Sequence, residues 1–87
     1  MVGPPFAGRI GRFAIPYAMF GERPGVVHRI LRETLVVRAE LVFASQAIEY
    51  DGFCLGFEPI GEGTTIPDYD IEYDEDADQV TWVKRGL

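Results

Sequence analysis

Seven carboxylates lie within thirteen residues near the end of the chain, in the segment IPDYDIEYDEDAD at positions 66–78. They are half of the fourteen acidic residues, and no basic residue lies among them. Side chains of this type at this density could bind a cation, take part in acid–base catalysis, or present negative charge to a basic partner. The seven are Asp68, Asp70, Glu72, Asp74, Glu75, Asp76 and Asp78.

Calcium binding is the first of these chemistries to compare with the spacing. Asp74, Asp76 and Asp78 match the D-x-D-x-D pattern at the start of an EF-hand loop. The glycine that the loop requires next is Gln79, and its final glutamate is Arg85. No helical pattern flanks the segment. The sequence therefore predicts neither a metal site nor a bound cofactor.

Catalysis has no better support in the sequence. Carboxylates two residues apart on a strand are about 6.7 Å apart, but glycosidase-like chemistry also needs a cleft and a carboxyl with a raised pKa. The single histidine, His28, and the single cysteine, Cys54, share no motif. Cys54 lies in the apolar run FCLGF, where a free cysteine is usually a packing residue. We predict no catalytic residue and expect a protein that is not an enzyme.

The charge of the chain is divided between its two halves. Residues 1–38 contain six arginines against two glutamates, a net charge of +4. Residues 39–87 contain twelve acidic residues against Lys84 and Arg85, a net charge of −10. This division suggests a partner that recognises charge, or an interface at which the basic and acidic halves of the chain contact each other. It is compatible with a homodimer. The total charge of −6 argues against direct binding to nucleic acid or to an anionic membrane.

Length and composition favour one small domain over residues 1–87, soluble and cytoplasmic. The hydrophobic content of 47% suffices for one modest core. A single cysteine excludes an intramolecular disulfide and favours a reducing compartment. We find no secretory signal, and no apolar run approaches the ~20 residues that a membrane-spanning helix requires.

The residue pattern predicts a small α+β domain in which one helix covers an antiparallel sheet of four to five strands. The helix is expected over residues 26–35, where apolar side chains recur at helical spacing. Strands are expected within residues 9–16, 35–43, 47–57, 68–74 and 80–85.

The last two strands form the clearest hairpin. If Tyr73 pairs with Val80 and Ile71 with Trp82, the large apolar side chains share one face and the acidic row lies on the other. A slip of one residue would mix the two faces. In this register Tyr69, Tyr73 and Trp82 are assigned mainly to the core. On an uncovered sheet, the same aromatic residues would instead serve as binding anchors.

The sequence favours a function in which a basic partner recognises the acidic residues. A carboxylate every ~6.7 Å along a strand is comparable to the linear array of nucleic-acid phosphates, and a basic groove could accept it in their place. By its small size, acidity and lack of a catalytic constellation, the chain resembles accessory proteins of phages and mobile elements, anti-CRISPR proteins among them. The resemblance implies a viral inhibitor that docks residues 68–78 on a basic, nucleic-acid-binding host protein.

Three alternatives stay open at this stage. The acidic row is also explained as an ordinary solvated face, because one side of an antiparallel sheet is usually wet. The divided charge could instead join identical copies of a self-assembling structural or accessory subunit. A small-ligand-binding module would use an interstrand or intersubunit pocket near His28, Tyr50 and Cys54.

Overall fold

The computed structural model describes residues 8–61 and 63–86. These residues form two antiparallel sheets, one of three strands in the order β1-β3-β2 and one a hairpin of β4 and β5. Two short helices connect β1 to β2. The elements are β1 (Ile10–Pro16), α1 (Tyr17–Glu22), α2 (Pro24–Leu31), β2 (Leu35–Val42), β3 (Ala47–Phe53), β4 (Tyr69–Asp74) and β5 (Gln79–Lys84).

The predicted mixture of helix with antiparallel strands is confirmed, but two details differ. The five strands belong to two sheets, and the described residues contain two helices where one was expected. Within the described ranges, one parallel bridge between Arg12 and Asp68 links the sheets, and the Arg12 amide donates to the carbonyl of Pro67 at 2.9 Å. Beyond that bridge the hairpin leaves the edge of β1 and packs through its aromatic side chains.

The helical region begins earlier than the sequence pattern predicted. Pro24 occupies the first turn of α2, where its missing N–H costs nothing, and Val26, Val27 and Ile30 are buried. Leu35, predicted as the last helical residue, instead begins β2. The six-residue α1 was not predicted, because it is too short for a 3.6-residue period to be visible and has no buried residue.

The hairpin register is the predicted one. Tyr73 lies opposite Val80, and Ile71 lies opposite Trp82. The ladder continues past β5, where the Arg85 amide donates to the carbonyl of Asp68 at 2.8 Å. The alternation of apolar and acidic residues therefore specified the pairing correctly.

An aromatic cluster joins the hairpin to the rest of the core. Phe57 and Tyr69 stack with ring centroids 4.3 Å apart, and Trp82 meets both Phe13 and Phe57 edge-on at 5.0 Å. Tyr69 is buried, while Tyr73 and Trp82 are partly buried and pack against the core. The assignment of these three residues to the core is consistent with their positions.

Two glycines allow this close approach. A Cβ atom at Gly11 would lie 2.7 Å from the ring of Tyr69, and one at Gly56 would lie 2.7 Å from Cδ1 of Trp82. Both distances are far below an ordinary carbon–carbon contact. Gly11 and Gly56 therefore each mark a close contact that a larger residue would obstruct.

An ion-pair cluster crosses the other face of the three-stranded sheet. The buried carboxylate of Asp51 on β3 accepts from Arg12 Nε on β1 at 2.8 Å and from Arg38 Nε on β2 at 2.6 Å. Arg38 also donates to Glu49 at 2.9 Å. Burial opposes ionisation of Asp51, but the two arginine hydrogen bonds outweigh it and lower the pKa of this carboxyl. One carboxylate thus joins all three strands.

We expect Asp51→Asn to lower the free energy of unfolding at pH 7 by about 2–4 kcal/mol, because two arginines lose their shared partner. In the wild type the pKa of Asp51 is lower in the folded than in the unfolded protein, so its stabilisation is present above pH ~4 and is lost as the pH falls through the folded-state pKa. The difference between the proteins should therefore shrink at pH 3. Urea unfolding at both pH values measures this difference, with Glu22→Gln, at an exposed residue outside the cluster, as a control of small effect.

Candidate protein-binding surface

The structure brings all seven predicted acidic residues together on one hairpin. We call residues 68–78 the acidic hairpin; all of its carboxylates are exposed to solvent. Asp70, Glu72 and Asp74 lie on the outer face of β4, opposite to the aromatic face. Glu75, Asp76 and Asp78 lie in or next to the turn that leads to β5.

One of these carboxylates shapes the turn. The side chain of Asp74 accepts hydrogen bonds from the amides of Asp76 at 3.0 Å and Ala77 at 3.3 Å, which is an Asx turn. Asp78 follows with a positive φ of 49°, a conformation that aspartate tolerates better than most residues. The acidic composition of the turn therefore has a local structural cause as well as any function in binding.

Three of the seven carboxylates have an arginine partner within the chain. Asp70 accepts from Arg85 at 2.5 Å, and this hydrogen bond lowers the pKa of Asp70. Glu75 forms an ion pair with Arg23. The acidic row predicted as continuous is thus already neutralised at several points.

Asp78 ties the end of the turn to helix α2. Arg29 on α2 donates to the Asp78 carbonyl at 3.2 and 3.3 Å, and its Nε lies 3.7 Å from the Asp78 carboxylate. The same carboxylate accepts from the Tyr73 hydroxyl at 2.6 Å, and this bond raises the pKa of Tyr73. The turn is therefore held against the helix on its inner side.

Four carboxylates have no ion pair among residues 8–61 and 63–86: Asp68, Glu72, Asp74 and Asp76. Sequence reasoning did not separate these four from the paired three. The predicted register sets Asp68 opposite Arg85, but in the structure the Arg85 side chain pairs with Asp70, which lies diagonally across on the same face.

The two oppositely charged halves of the sequence meet within the chain. Arg12 and Arg38 contact Asp51, while Arg23 and Arg29 contact the acidic hairpin. Arg9 donates to the backbone carbonyl of Phe57 at 2.7 Å. Much of the complementary charge is therefore satisfied without a second copy.

The residues considered for ligand binding lie in different environments. His28 is exposed on α2, whereas Tyr50 and Cys54 are buried. The hydrogen bond at the Cys54 sulfur comes from the amide of Gly56 at 3.4 Å. Over the described part of the chain, no group of three or more histidine, cysteine or acidic residues is arranged to hold a metal ion.

A cleft of about 330 Å³ lies elsewhere, between β1, the helices and the hairpin. Its walls are mainly apolar, and the Asp70–Arg85 ion pair lies at its polar side. Sequence reasoning missed this cleft because it forms where two sheets meet. Its apolar lining includes Ile15, Met19, Val26, Ile30 and Ile71.

No helix in the described ranges is both long and apolar enough to cross a membrane.

We expect the Cys54 thiol to be inert in the folded protein. Burial raises its pKa, so the reactive thiolate is scarce and shielded at neutral pH. A disulfide-exchange reagent at pH 8 should modify the native protein roughly a hundredfold more slowly than the denatured protein, because reaction requires local opening. Rapid stoichiometric modification of the native protein would contradict this burial and would revive a nucleophilic function for Cys54.

Comparison with known proteins does not assign the chain to a family: no family model matches it, and neither a curated protein nor a solved structure matches it at significant similarity.

Proposed function

We propose that this chain is a non-enzymatic binding protein that docks its acidic hairpin on a basic surface of a nucleic-acid-binding protein. The observation that carries the proposal is the set of four exposed carboxylates without an ion pair among the described residues, Asp68, Glu72, Asp74 and Asp76. Their mutual repulsion raises the free energy of the unbound protein, and a basic partner would relieve it. Arginine side chains on the partner could contact these carboxylates in bidentate geometry.

The hairpin is suited to binding because it is held in place before a partner arrives. Tyr69 anchors the inner face of β4 in the aromatic cluster, and Trp82 does the same for the paired strand β5. Arg23, at the start of α2, and Arg29, within α2, contact the turn of the acidic hairpin. A surface that is already ordered loses less conformational entropy on association. The internal ion pairs therefore support the display of the remaining carboxylates.

The activity that follows from this arrangement is competition with nucleic acid. A protein whose groove binds phosphates through arginine and lysine would accept the acidic hairpin in the same groove. Inhibitors made by phages and mobile elements, including anti-CRISPR proteins, provide the biological setting that we propose for this chain. The single free cysteine suits a reducing cytoplasm, where the targets of such inhibitors act.

Two variants with equal changes of net charge test the proposal. The first, Asp68→Asn/Glu72→Gln/Asp76→Asn, neutralises carboxylates that have no internal partner. The second, Asp70→Asn/Glu75→Gln/Asp78→Asn, neutralises the paired ones. Each is used with the wild type as bait in a host lysate, and the captured protein is then purified for binding measurements. We expect a basic nucleic-acid-binding protein whose affinity for the first variant falls about tenfold or more, since the contacts are charged.

The matched variant separates specific contacts from total charge. It should keep most of the affinity, although its hairpin should unfold more easily because three internal contacts are lost. Double-stranded DNA should compete with the wild type for the captured protein, and added salt should weaken the complex. Equal binding by all three proteins, or capture that DNA does not reverse, would show that the acidic hairpin is an ordinary solvated face.

A further inference from the structure

Strand β2 presents an apolar side to solvent. Val37 and Leu41 are each 55% exposed, and Phe43, in the turn that follows β2, is 80% exposed, although these residue types are often buried. Strand β2 is also the last strand of its sheet, and none of the described residues pairs with its outer edge. Long apolar edge strands are normally covered by other elements or carry charged residues that prevent pairing, because an open edge pairs readily with other strands.

The exposure has a simple cause in the fold. Helix α2 and the aromatic cluster cover the apolar face of β1 and β3, where Phe13, Ile15 and Tyr50 are buried. Ala39 and Leu41 continue the same face on β2, opposite Tyr50 and Ile48, but they extend past this cover. The apolar face therefore continues to an open edge.

The residues along this edge are self-complementary about Ala39. Arg38 and Glu40 flank it with opposite charges, and Val37 and Leu41 flank these with apolar side chains. When such a strand pairs antiparallel with a copy of itself centred on Ala39, Arg38 lies opposite Glu40 of the partner subunit and Val37 lies opposite Leu41 of the partner subunit. Cross-strand pairs of these kinds stabilise a sheet.

We propose that two copies of this chain associate through β2, paired antiparallel about a two-fold axis at Ala39, to form one continuous six-stranded sheet. The strand order across the dimer is β1-β3-β2-β2-β3-β1. Arg38 already contacts Glu40 of its own chain at 3.3 Å, and in the dimer it also lies opposite Glu40 of the partner subunit, so the two Arg38–Glu40 pairs form one cross-strand cluster. The apolar faces of both copies join on one side of the sheet. A two-fold axis of this kind makes the interface isologous, as in most homodimers.

Neighbouring registers are disfavoured by charge. Centring the pair on Arg38 would place two arginines directly opposite each other, and centring it on Glu40 would place two glutamates opposite each other. A shift to the odd registers would set the apolar face of one copy beside the charged face of the other. The β-bulge between Val36 and Arg38 lies at the end of the paired segment and limits its length.

Single-cysteine cross-linking tests the register directly. In the proposed dimer, residue 39 lies opposite its own copy, within the Cα separation that a disulfide requires. Ala39→Cys should therefore form a covalent dimer under mild oxidation, while Val37→Cys and Leu41→Cys alone should not, because each is about 13 Å from its copy. A mixture of the latter two should cross-link. The native Cys54 is buried and does not interfere.

Charge reversal tests the same interface in solution. Glu40→Arg sets arginines opposite each other at both ends of the pair, so the dissociation constant from sedimentation equilibrium should rise at least about tenfold. Glu72→Arg makes the same charge change on the hairpin and should leave it unchanged. A wild type that stays monomeric, or cysteines that cross-link equally well at all three positions, would overturn the proposal. Binding through the acidic hairpin does not depend on either result.

Discussion

The contact between the hairpin and Phe57 is the interaction on which the rest of the structure depends. Phe57 stacks on Tyr69 and meets Trp82 edge-on, so one side chain contacts both strands of the hairpin. Among the described residues one backbone bridge links the two sheets, so the aromatic contacts, together with the Arg23 and Arg29 ion pairs, hold the hairpin to the rest of the core. Because the aromatic side chains face inward, the carboxylates that alternate with them on β4 must face solvent. The exposure of the acidic surface is therefore a consequence of how the aromatic residues pack in the core.

Electrostatic interactions divide the carboxylates of this chain into three groups with different consequences. Asp51 is buried between two arginines and holds three strands together, and its lowered pKa reflects those hydrogen bonds. Asp70 and Asp78 contact arginines at the surface, where water screens each pair and its contribution to stability is small. Among the carboxylates without such partners, Asp74 accepts two amide hydrogen bonds in the turn, whereas Asp68, Glu72 and Asp76 contribute least to folding. They are therefore the group most available to another molecule.

The molecule presents two surfaces of opposite chemistry. The acidic hairpin is charged and ordered, and an interaction through it would be sensitive to salt. The edge of β2 is apolar and has unpaired backbone groups, and an interaction through it would depend on strand pairing and burial. The two surfaces belong to different sheets. A dimer formed through β2 would carry two acidic hairpins, so that a partner with repeated basic sites would gain avidity from both.

The sequence by itself determined the mixed α+β class, the β4–β5 register and the clustering of the carboxylates. It could do so because strand periodicity is local: alternation along 69–74 and 80–84 admits one register that keeps apolar residues together. Only the tertiary structure decided which carboxylates are paired, because Arg23 and Arg29 reach the hairpin from about fifty residues away. It also decided that the strands divide into two sheets and that helix α2 stops short of β2. Both outcomes depend on how much of the sheet a small core can cover, and local sequence patterns do not predict that.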